Sequence, residues 1–497
     1  MNAAEDLLGE NPVMDGVKPV TMNESVETGD YALQGKKVLV VGLGVSGLEM
    51  IRFLCRQGAL VSASDNRSAA ELEDVLAELK ELPLAELETG GHSSSLFRQQ
   101  DLIVVSPGVP WSLEVLRQAR TENIPVVGEI ELASRFIREP LVGLTGTNGK
   151  TTTVTLLGEM FKAAGRRAFV GGNIGTPAVA MLQPDADWEL GILELSSFQL
   201  EGVVHFRPRV AVVLNVTPDH QDRYRDENAY LAAKMNISAN QQRSDFLLLN
   251  VDDDCLNLQY RQLEERWRDG EEISRPLPFS CRAELELGGS SVGQRIRCCL
   301  PGTDGAGRDL DLSAPPLKLA GEHNRSNMLA AFMVGLLFGL EPEGMLASLA
   351  SFGGLPHRLE YVARVADVDY VNDSKATNLD AVAKAIVSFD QPVVLLLGGR
   401  DKGAQFSDLE EVLGGRVREI VPFGEAAGLV VRQLPHFCGP KAENLEEAVV
   451  AGSRLAHPGD VVLLSPGCAS FDEFSSYKQR GQAFINIVHA LGSGSRD

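Results

Sequence analysis

Compact runs of apolar residues recur along the chain, at 37–41 (Lys-Val-Leu-Val-Val), 102–105 (Leu-Ile-Val-Val) and 210–214 (Val-Ala-Val-Val-Leu). Short, β-branched and without polar alternation, they read as strands covered on both faces in a parallel sheet. Longer stretches with helical spacing lie between them, for example 69–81 and 113–121, and the alternation continues from Lys37 almost to the C-terminus. Such strand–helix alternation predicts an α/β architecture. Gly and Pro punctuation at Glu139-Pro140 and at Gly353-Gly354-Leu355-Pro356 marks two boundaries, and a further apolar strand at 393–397 with Gly398-Gly399 behind it restarts the pattern. The expected domains are therefore 35–139, 140–354 and 355–497, preceded by a tail over 1–34. The stretch 284–316 is Gly-rich and less regular and predicts a β-rich or loop insertion, whereas the apolar stretch 328–340 predicts a buried helix.

Composition narrows the class. Hydrophobic residues at 44% and charged residues at 23% suit a globular protein with several cores. The net charge of -22 repels nucleic acid and anionic membrane at long range, so any phosphate ligand must be held by a local site. Residues 1–30 hold seven carboxylates against the single Lys18, with no basic start followed by an apolar run, so they predict a disordered tail rather than a secretory signal. The apolar stretch at 328–340 is too short for the ~20 residues of a helical membrane crossing. Seven scattered cysteines, without CxxC or Cys/His zinc spacing, predict reduced thiols in a cytoplasmic protein.

Three motifs carry chemistry. Gly42-Leu-Gly44-Val-Ser-Gly47 follows the strand at 38–41 and opens a helical pattern running to Gln57. Glycines there allow a tight turn, so that a diphosphate can sit on N–H groups at the helix start. Asp65 stands where an acidic residue can meet a ribose hydroxyl, and a dinucleotide and a UDP-sugar are both candidates. A glycine turn that serves only helix–strand packing is the plain alternative. The second motif is more specific: the strand 141–144 runs into Thr145-Gly146-Thr147-Asn148-Gly149-Lys150-Thr151-Thr152 and then a helix over 153–164. Its N–H groups are expected to cradle phosphates, with Lys150 on the β- and γ-phosphates and the Thr151 hydroxyl on magnesium. The loop is shorter than the general phosphate loop, since Leu144 occupies the position of its first glycine. The third is Glu194 with Ser197 and Glu201, followed by Asn215, Thr217, Asp219 and His220, each set after an apolar strand. Glu194 is a hard oxygen ligand of the kind magnesium takes, and His220 can serve a second metal or a phosphate.

The run from Gly146 to Thr152, then Gly171-Gly-Asn173-Ile-Gly and Asn215 to His220, resembles the Mur ligases of peptidoglycan synthesis. Further matching runs are Gly321-Glu-His-Asn324-Arg-Ser-Asn327, Pro356-His-Arg358, Asn372-Asp373-Ser374-Lys375-Ala-Thr377-Asn378, Gly398-Gly-Arg-Asp401-Lys402-Gly403 and Leu464-Ser465-Pro-Gly-Cys468-Ala469-Ser470, so the likeness spans 36–490. Within the family the likeness is to members that add D-glutamate to UDP-N-acetylmuramoyl-L-alanine. It implies three domains: a Rossmann-like UDP-binding domain, a central ATPase domain with a mostly parallel sheet, and a C-terminal Rossmann-like domain. It also implies that ATP phosphorylates the substrate's terminal carboxylate, that the amine of D-glutamate attacks the acyl phosphate, and that the chain works as a monomer with two magnesium ions.

By the same resemblance, Gly146, Thr147, Asn148, Gly149, Lys150, Thr151 and Thr152 form the ATP loop, joined by Asn327, Arg358 and Asp373. Thr151, Glu194 and His220 are implied magnesium-site residues. Lys234 matches a lysine that family members carbamylate, which makes it an anion able to hold the second magnesium; by spacing alone it reads as a solvated helix lysine. Val45, Ser46, Asp65, Asn66, Arg67 and Gly108 are implied for the UDP substrate, with Asn173 and His220 reaching from the central domain. Lys375, Thr377, Lys402, Ser470, Phe471 and Tyr477 are implied for the amino acid, their two lysines suiting a dianion. Asn66 stands where threonine is common and Tyr477 where phenylalanine is frequent. The competing readings are a sister ligase adding another amino acid, an NAD-dependent oxidoreductase built on Gly42–Gly47, and a non-catalytic nucleotide-sensing scaffold.

Overall fold

The structure, a computed structural model, describes residues 32–219, 223–301, 308–315, 321–401 and 403–493. Residues 1–31 of the expected tail over 1–34 lie outside them, as do His220 and Lys402, whereas Leu33 is buried in the core. Three sheets organise the rest. The first contains β1 (Lys37–Val41), β2 (Leu60–Asp65), β3 (Glu86–Thr89), β4 (Leu102–Val105) and β5 (Val126–Gly128), all parallel, in the order 3-2-1-4-5. Parallel strands need helical crossovers that cover both sheet faces. Val38, Leu39, Val40 and Val41 are accordingly all buried, which is why β1 shows no polar alternation.

The second sheet contains β6 (Leu141–Thr145), β7 (Ala168–Gly172), β8 (Leu190–Glu194), β9 (Val210–Val213), β10 (Phe246–Asn250), β11 (Arg275–Ser280), β12 (Gly288–Val292), β13 (Arg295–Leu300) and β14 (Arg308–Ser313), in the order 14-13-12-11-10-9-6-8-7. It is parallel from β7 to β12, and β13 and β14 add an antiparallel edge. The described residues of the Gly-rich stretch at 284–316 are thus β-rich and extend this sheet. The third sheet contains β15 (Glu360–Val365), β16 (Val368–Asn372), β17 (Val393–Gly398), β18 (Val417–Phe423) and β19 (Val461–Gly467), in the order 15-16-19-17-18, with only β15 antiparallel.

The chain forms three α/β domains, one on each sheet, and by compactness divides into two units. One is Met1–Ala314 with Ser326–Ser348, holding the first two sheets; the other is Pro315–Arg325 with Leu349–Asp497. The predicted apolar helix is Glu322–Leu337, and among the described residues no helix is long and apolar enough to cross a membrane. One predicted helix is shorter than its pattern: 69–81 narrows to Glu73–Leu79. The Glu71 carboxylate accepts from the Ser68 N–H at 2.9 Å and the Ser68 hydroxyl at 2.7 Å, which ties the preceding residues into a turn.

The sheet orders place the chemistry. In open parallel sheets ligands gather at the carboxyl ends of strands flanking a switch in strand order. In the first sheet that switch lies between β1 and β4, where Gly42 and Ser106 follow. In the second, β6 lies between β8 and β9, which brings together Gly146, Glu194 and Asn215. In the third, β19 lies between β16 and β17, which gathers the residues following Asn372, Gly398 and Gly467.

Candidate active site

In the first domain the glycine turn is built as its spacing predicts. Gly42 has φ +92° and its carbonyl accepts from the Ser106 hydroxyl at 2.7 Å, tying β1 to the loop after β4. A Cβ on Gly47 would lie 2.0 Å from that same Gly42 oxygen, so only glycine lets the helix Val45–Arg56 start this close to the strand. Val45 is 65% exposed at the turn, Ser46 is half-buried, and Asn66, Arg67 and Gly108 line the same strand ends in exposed positions. Asp65 is tied into the turn by its own neighbours. Its Oδ2 accepts from Leu43 N–H (2.7 Å) and Arg67 Nη2 (2.8 Å), and its Oδ1 from Arg67 N–H (2.8 Å) and Nε (3.0 Å). The Arg67 guanidinium and these N–H groups hold it down to about 2 despite its burial. Four donors fill the acceptor capacity of a carboxylate. Asp65 therefore locks the glycine loop to the turn at Arg67, and a ribose hydroxyl would have to displace one of those donors.

In the central domain the phosphate loop is braced from behind by Asn215. Its main-chain oxygen accepts from Thr147 N–H at 3.0 Å, its Oδ1 accepts from Asn148 N–H at 2.8 Å, and its Nδ2 donates to the Asn148 oxygen at 3.1 Å. Two of the N–H groups expected to cradle phosphate thus face Asn215 instead. The helix Lys150–Ala163 begins three residues earlier than the expected 153–164, and its N-terminus supplies the positive end of a dipole at the loop's close. Gly149 has φ +86°, and a Cβ on it would sit 2.2 Å from Asn327 Oδ1, so Asn327 reaches the loop itself. Lys150 Nζ folds over the loop and donates to the Gly146 oxygen (2.7 Å) and the Thr147 oxygen (2.8 Å).

Glu194, 4% exposed at the end of β8, accepts from the Thr151 hydroxyl at 2.8 Å and from Asn173 Nδ2 at 3.2 Å. The three residues that the sequence set on separate segments are therefore in direct contact. Among the described residues no cluster of three or more His, Cys, Asp or Glu side chains is placed to hold a metal alone. The Thr151 hydroxyl and Glu194 carboxylate are nevertheless the hard oxygens magnesium prefers, and that ion commonly takes one or two protein ligands, filling its sphere with water and phosphate. The donor set fits magnesium.

Lys234 corrects its reading by spacing. It is 1% exposed, not solvated, with Nζ 4.2 Å from the centre of the Tyr230 ring, whose hydroxyl is 3.4 Å from the Thr147 hydroxyl. Burial, then the charge of Lys150, holds its amine well below the usual lysine range, against the opposing pull of Asp219.

In the C-terminal domain, Asp373 is buried, accepts from the Ser465 hydroxyl at 2.9 Å and from Leu359 N–H at 3.2 Å, and is pushed up to about 7 by burial. Arg358 is half-buried between His357 (φ +64°) and Leu359 (φ +44°), two non-glycine residues in left-handed conformations that persist only where surroundings enforce them. His357 is held through its N–H to Glu360 (2.8 Å) and its ring nitrogen to Asn372 (2.9 Å). Lys375 Nζ stands 5.6 Å over the Tyr477 ring, Thr377 is half-buried, Ser470 is 2% exposed and Phe471 61% exposed. The Ser470 carbonyl closes a turn with Phe474 N–H at 2.8 Å. The strut behind these loops is Arg480, which the sequence did not single out. It is 1% exposed and donates to the Ser374 hydroxyl (3.0 Å) and to the main-chain oxygens of Ser374 (2.9 Å), Ala469 (3.2 Å) and Cys468 (3.1 Å). It thereby ties the loop after β16 to the loop after β19.

Comparison with known proteins finds relatives over most of the chain. Residues 36–128 match the MurD-like N-terminal domain of Mur ligases, 144–335 the Mur ligase middle domain and 357–468 the glutamate ligase domain of Mur ligases. The chain is 44% identical over 462 residues to the UDP-N-acetylmuramoylalanine–D-glutamate ligase of Trichlorobacter lovleyi, covering 92% of this chain and 100% of that one. It is 42% identical over 460 residues to the like-named enzyme of Koribacter versatilis, covering 92% and 98%. Among solved structures, a pseudomurein peptide ligase type C from Methanothermus fervidus shares the fold at a TM-score of 0.55 and 17% identity, covering 92% of this chain and 100% of that one. The MurF ligase of Thermotoga maritima in complex with ADP does so at 0.55 and 16%, covering 96% and 98%. With matches to all three domains and relatives this similar over their full length, the chain belongs to the Mur ligase family, among its UDP-N-acetylmuramoylalanine–D-glutamate ligases.

Proposed function

We propose that this chain is an ATP-dependent ligase joining D-glutamate to UDP-N-acetylmuramoyl-L-alanine during peptidoglycan precursor synthesis. The observation that carries the reading is identity above two-fifths, along whole chains, to relatives bearing that activity in their names. A carboxylate resists attack by an amine until one oxygen becomes a leaving group. The γ-phosphoryl group of ATP moves to the terminal carboxylate and ADP departs; the D-glutamate amine then attacks the acyl carbon, the C–O bond to phosphate breaks, and the amine's proton is lost. The protein's task is positioning and charge stabilisation.

Lys150 exchanges its two loop carbonyls for β- and γ-phosphate oxygens. Thr151 and Glu194, with His220, are the residues that would hold magnesium, which supplies charge neutralisation on the phosphates. Asn327 and Asp373 are assigned to the nucleotide, and Arg358, a planar guanidinium, to the charge on the transferring phosphoryl group. Lys234 fits carbamylation: CO2 reacts with a neutral amine, releasing a proton, and burial keeps this amine neutral far more than an exposed lysine would be. The carbamate oxygens would hold a second magnesium. Val45, Ser46, Asn66, Arg67 and Gly108 are assigned to the UDP moiety, Asn173 and His220 to the rest of that substrate, and Lys375, Thr377, Lys402, Ser470, Phe471 and Tyr477 to D-glutamate. The test is phosphate release with ATP, magnesium and UDP-N-acetylmuramoyl-L-alanine, comparing D-glutamate with L-glutamate, L-alanine and a diamino acid. Release with D-glutamate alone is expected; release with another amino acid only would transfer the chain to a sister activity, and none with any would refute ligation.

A further inference from the structure

The helix Glu129–Ser134 connects the first domain to the central one, following Gly128 at the end of β5. It carries two buried carboxylates, Glu129 and Glu131, 2% and 1% exposed, that the chemistry above does not use. Both grip main chain of the central domain. Glu129 Oε1 accepts from Val179 N–H at 3.0 Å. Glu131 Oε2 accepts from three consecutive N–H groups, Val204, His205 and Phe206, at 2.9, 2.8 and 3.0 Å, while its Oε1 is held by Arg135 Nε at 2.9 Å. Successive N–H groups converging on one oxygen form an anion nest, here filled from the neighbouring domain. Trp111, in the loop after β4, closes the same junction: a Cβ on Gly202 would lie 2.2 Å from its ring.

The gripped segments lead to one place. Val179 lies just beyond the turn in which Gly172 N–H bonds the Thr176 oxygen at 2.8 Å and which displays Asn173. Val204 to Phe206 lie just beyond the helix Ser197–Leu200, which follows Glu194. The two segments meet where Asn173 donates its N–H to the Glu194 oxygen at 2.8 Å and its side chain to the Glu194 carboxylate. We infer that Glu129 and Glu131 are positioning residues that clamp the Asn173-bearing and Glu194-bearing segments to the first domain, so that a substrate held there by its UDP end presents its carboxylate in register with Glu194 and Thr151. The inference rests on the ligase reading for its kinetics and on geometry alone for the clamp. Burial holds Glu129 up to about 7, and its Oε2 has no partner, so a neutral acceptor serves at this position.

The test uses the full chain carrying Glu129→Ala, Glu129→Gln, Glu131→Ala or Glu131→Gln. In the alanine variants kcat is expected to fall about ten- to a hundredfold, as for a misplacement near 1 Å, with affinities for UDP and ATP changed by less than about twofold. Glu129→Gln should restore the rate, because an amide oxygen accepts from Val179 equally well. Glu131→Gln should not, because its NH2 would face Arg135. Independently of turnover, amide exchange in the alanine variants should rise across 171–179 and 194–206 and stay unchanged at β1 and the phosphate loop. An inactive wild type would sink the ligase reading while leaving the exchange result to decide the clamp. Unchanged exchange in both segments, rates within about twofold of an active wild type, or UDP and ATP affinities lost in parallel with kcat would overturn the inference.

Discussion

Replacing Arg480 with methionine probes the proposed amino-acid site through a residue that is expected to touch no substrate. The guanidinium has four acceptors, three of them main-chain oxygens at 2.9 to 3.2 Å, and methionine satisfies none. Each orphaned buried carbonyl costs about 1–3 kcal/mol. Against that, the variant no longer buries a charge whose desolvation is itself costly; burial already draws Arg480 down to about 10, low for an arginine though still charged at neutral pH. Breaking one side of a buried charged network typically leaves a net loss of roughly 3–5 kcal/mol. At ~2–8 °C per kcal/mol, this lowers the melting transition of the C-terminal domain by on the order of 10–20 °C. The two loops that Arg480 joins carry Lys375, Thr377 and Ser470, so KM for D-glutamate should rise more than tenfold by the ~1 Å misplacement argument, while KM for ATP moves less. Arg480→Lys should recover less than half of the loss, since one ammonium cannot reproduce the planar fork. Scanning calorimetry and initial-rate kinetics read both effects. A transition within about 2 °C of wild type with unchanged KM for D-glutamate would refute the strut.

Three further outcomes follow from the geometry. Gly149→Ala forces a Cβ onto Asn327 at a φ of +86°, a conformation costing about 1–2 kcal/mol before the collision, so ATP affinity should drop at least tenfold with UDP binding intact; equal ATP affinity counts against the loop geometry. Glu129 ionises near 7 folded against 4.5 unfolded, so its contribution to stability is full below pH 4.5 and is lost as pH rises through 7, at most about 3 kcal/mol. Glu129→Gln should flatten the fall in urea midpoint between pH 5 and pH 8, and parallel pH curves would contradict the assignment. Lys234→Arg should abolish a carbamate carbon signal that the wild type shows by NMR under 13C-labelled CO2, together with at least about 99% of turnover; a signal that persists in the variant places the carbamate elsewhere.

The phosphate loop was legible because its chemistry is local. Gly146, Gly149, Lys150 and Thr151 sit on consecutive turns of one strand–loop–helix unit, and each residue type has one physical use there. Glu194 was legible as a strand-end residue and Asn173 only through the family resemblance, and their contact was not legible. Lys234 was misread by spacing because a lysine on a short helix is normally solvated, whereas tertiary packing buries this one with its Nζ over the Tyr230 ring. Asp65 was legible as a strand-end acid, whereas the bonds of both its oxygens to Leu43 and Arg67 were not. Glu129, Glu131 and Arg480 carried no signal at all, since charged residues on short or amphipathic helices look like surface until distant carbonyls and N–H groups converge on them.

What the sequence determined alone is therefore whatever follows from neighbours along the chain: buried parallel strands from uninterrupted apolar runs, the glycine turns from their need for positive φ or close approach, and the phosphate loop from its residue types. Tertiary structure decided the rest, because the order of strands in each sheet is set by long-range pairing. Placing β6 between β8 and β9 brought Thr151, Glu194 and Asn215 together from separate segments, and placing β19 between β16 and β17 set Arg480's acceptors side by side. A side chain's burial, and with it the ionisation of Lys234, Glu129 and Asp373, depends on which surfaces close over it, a property no window along the chain contains.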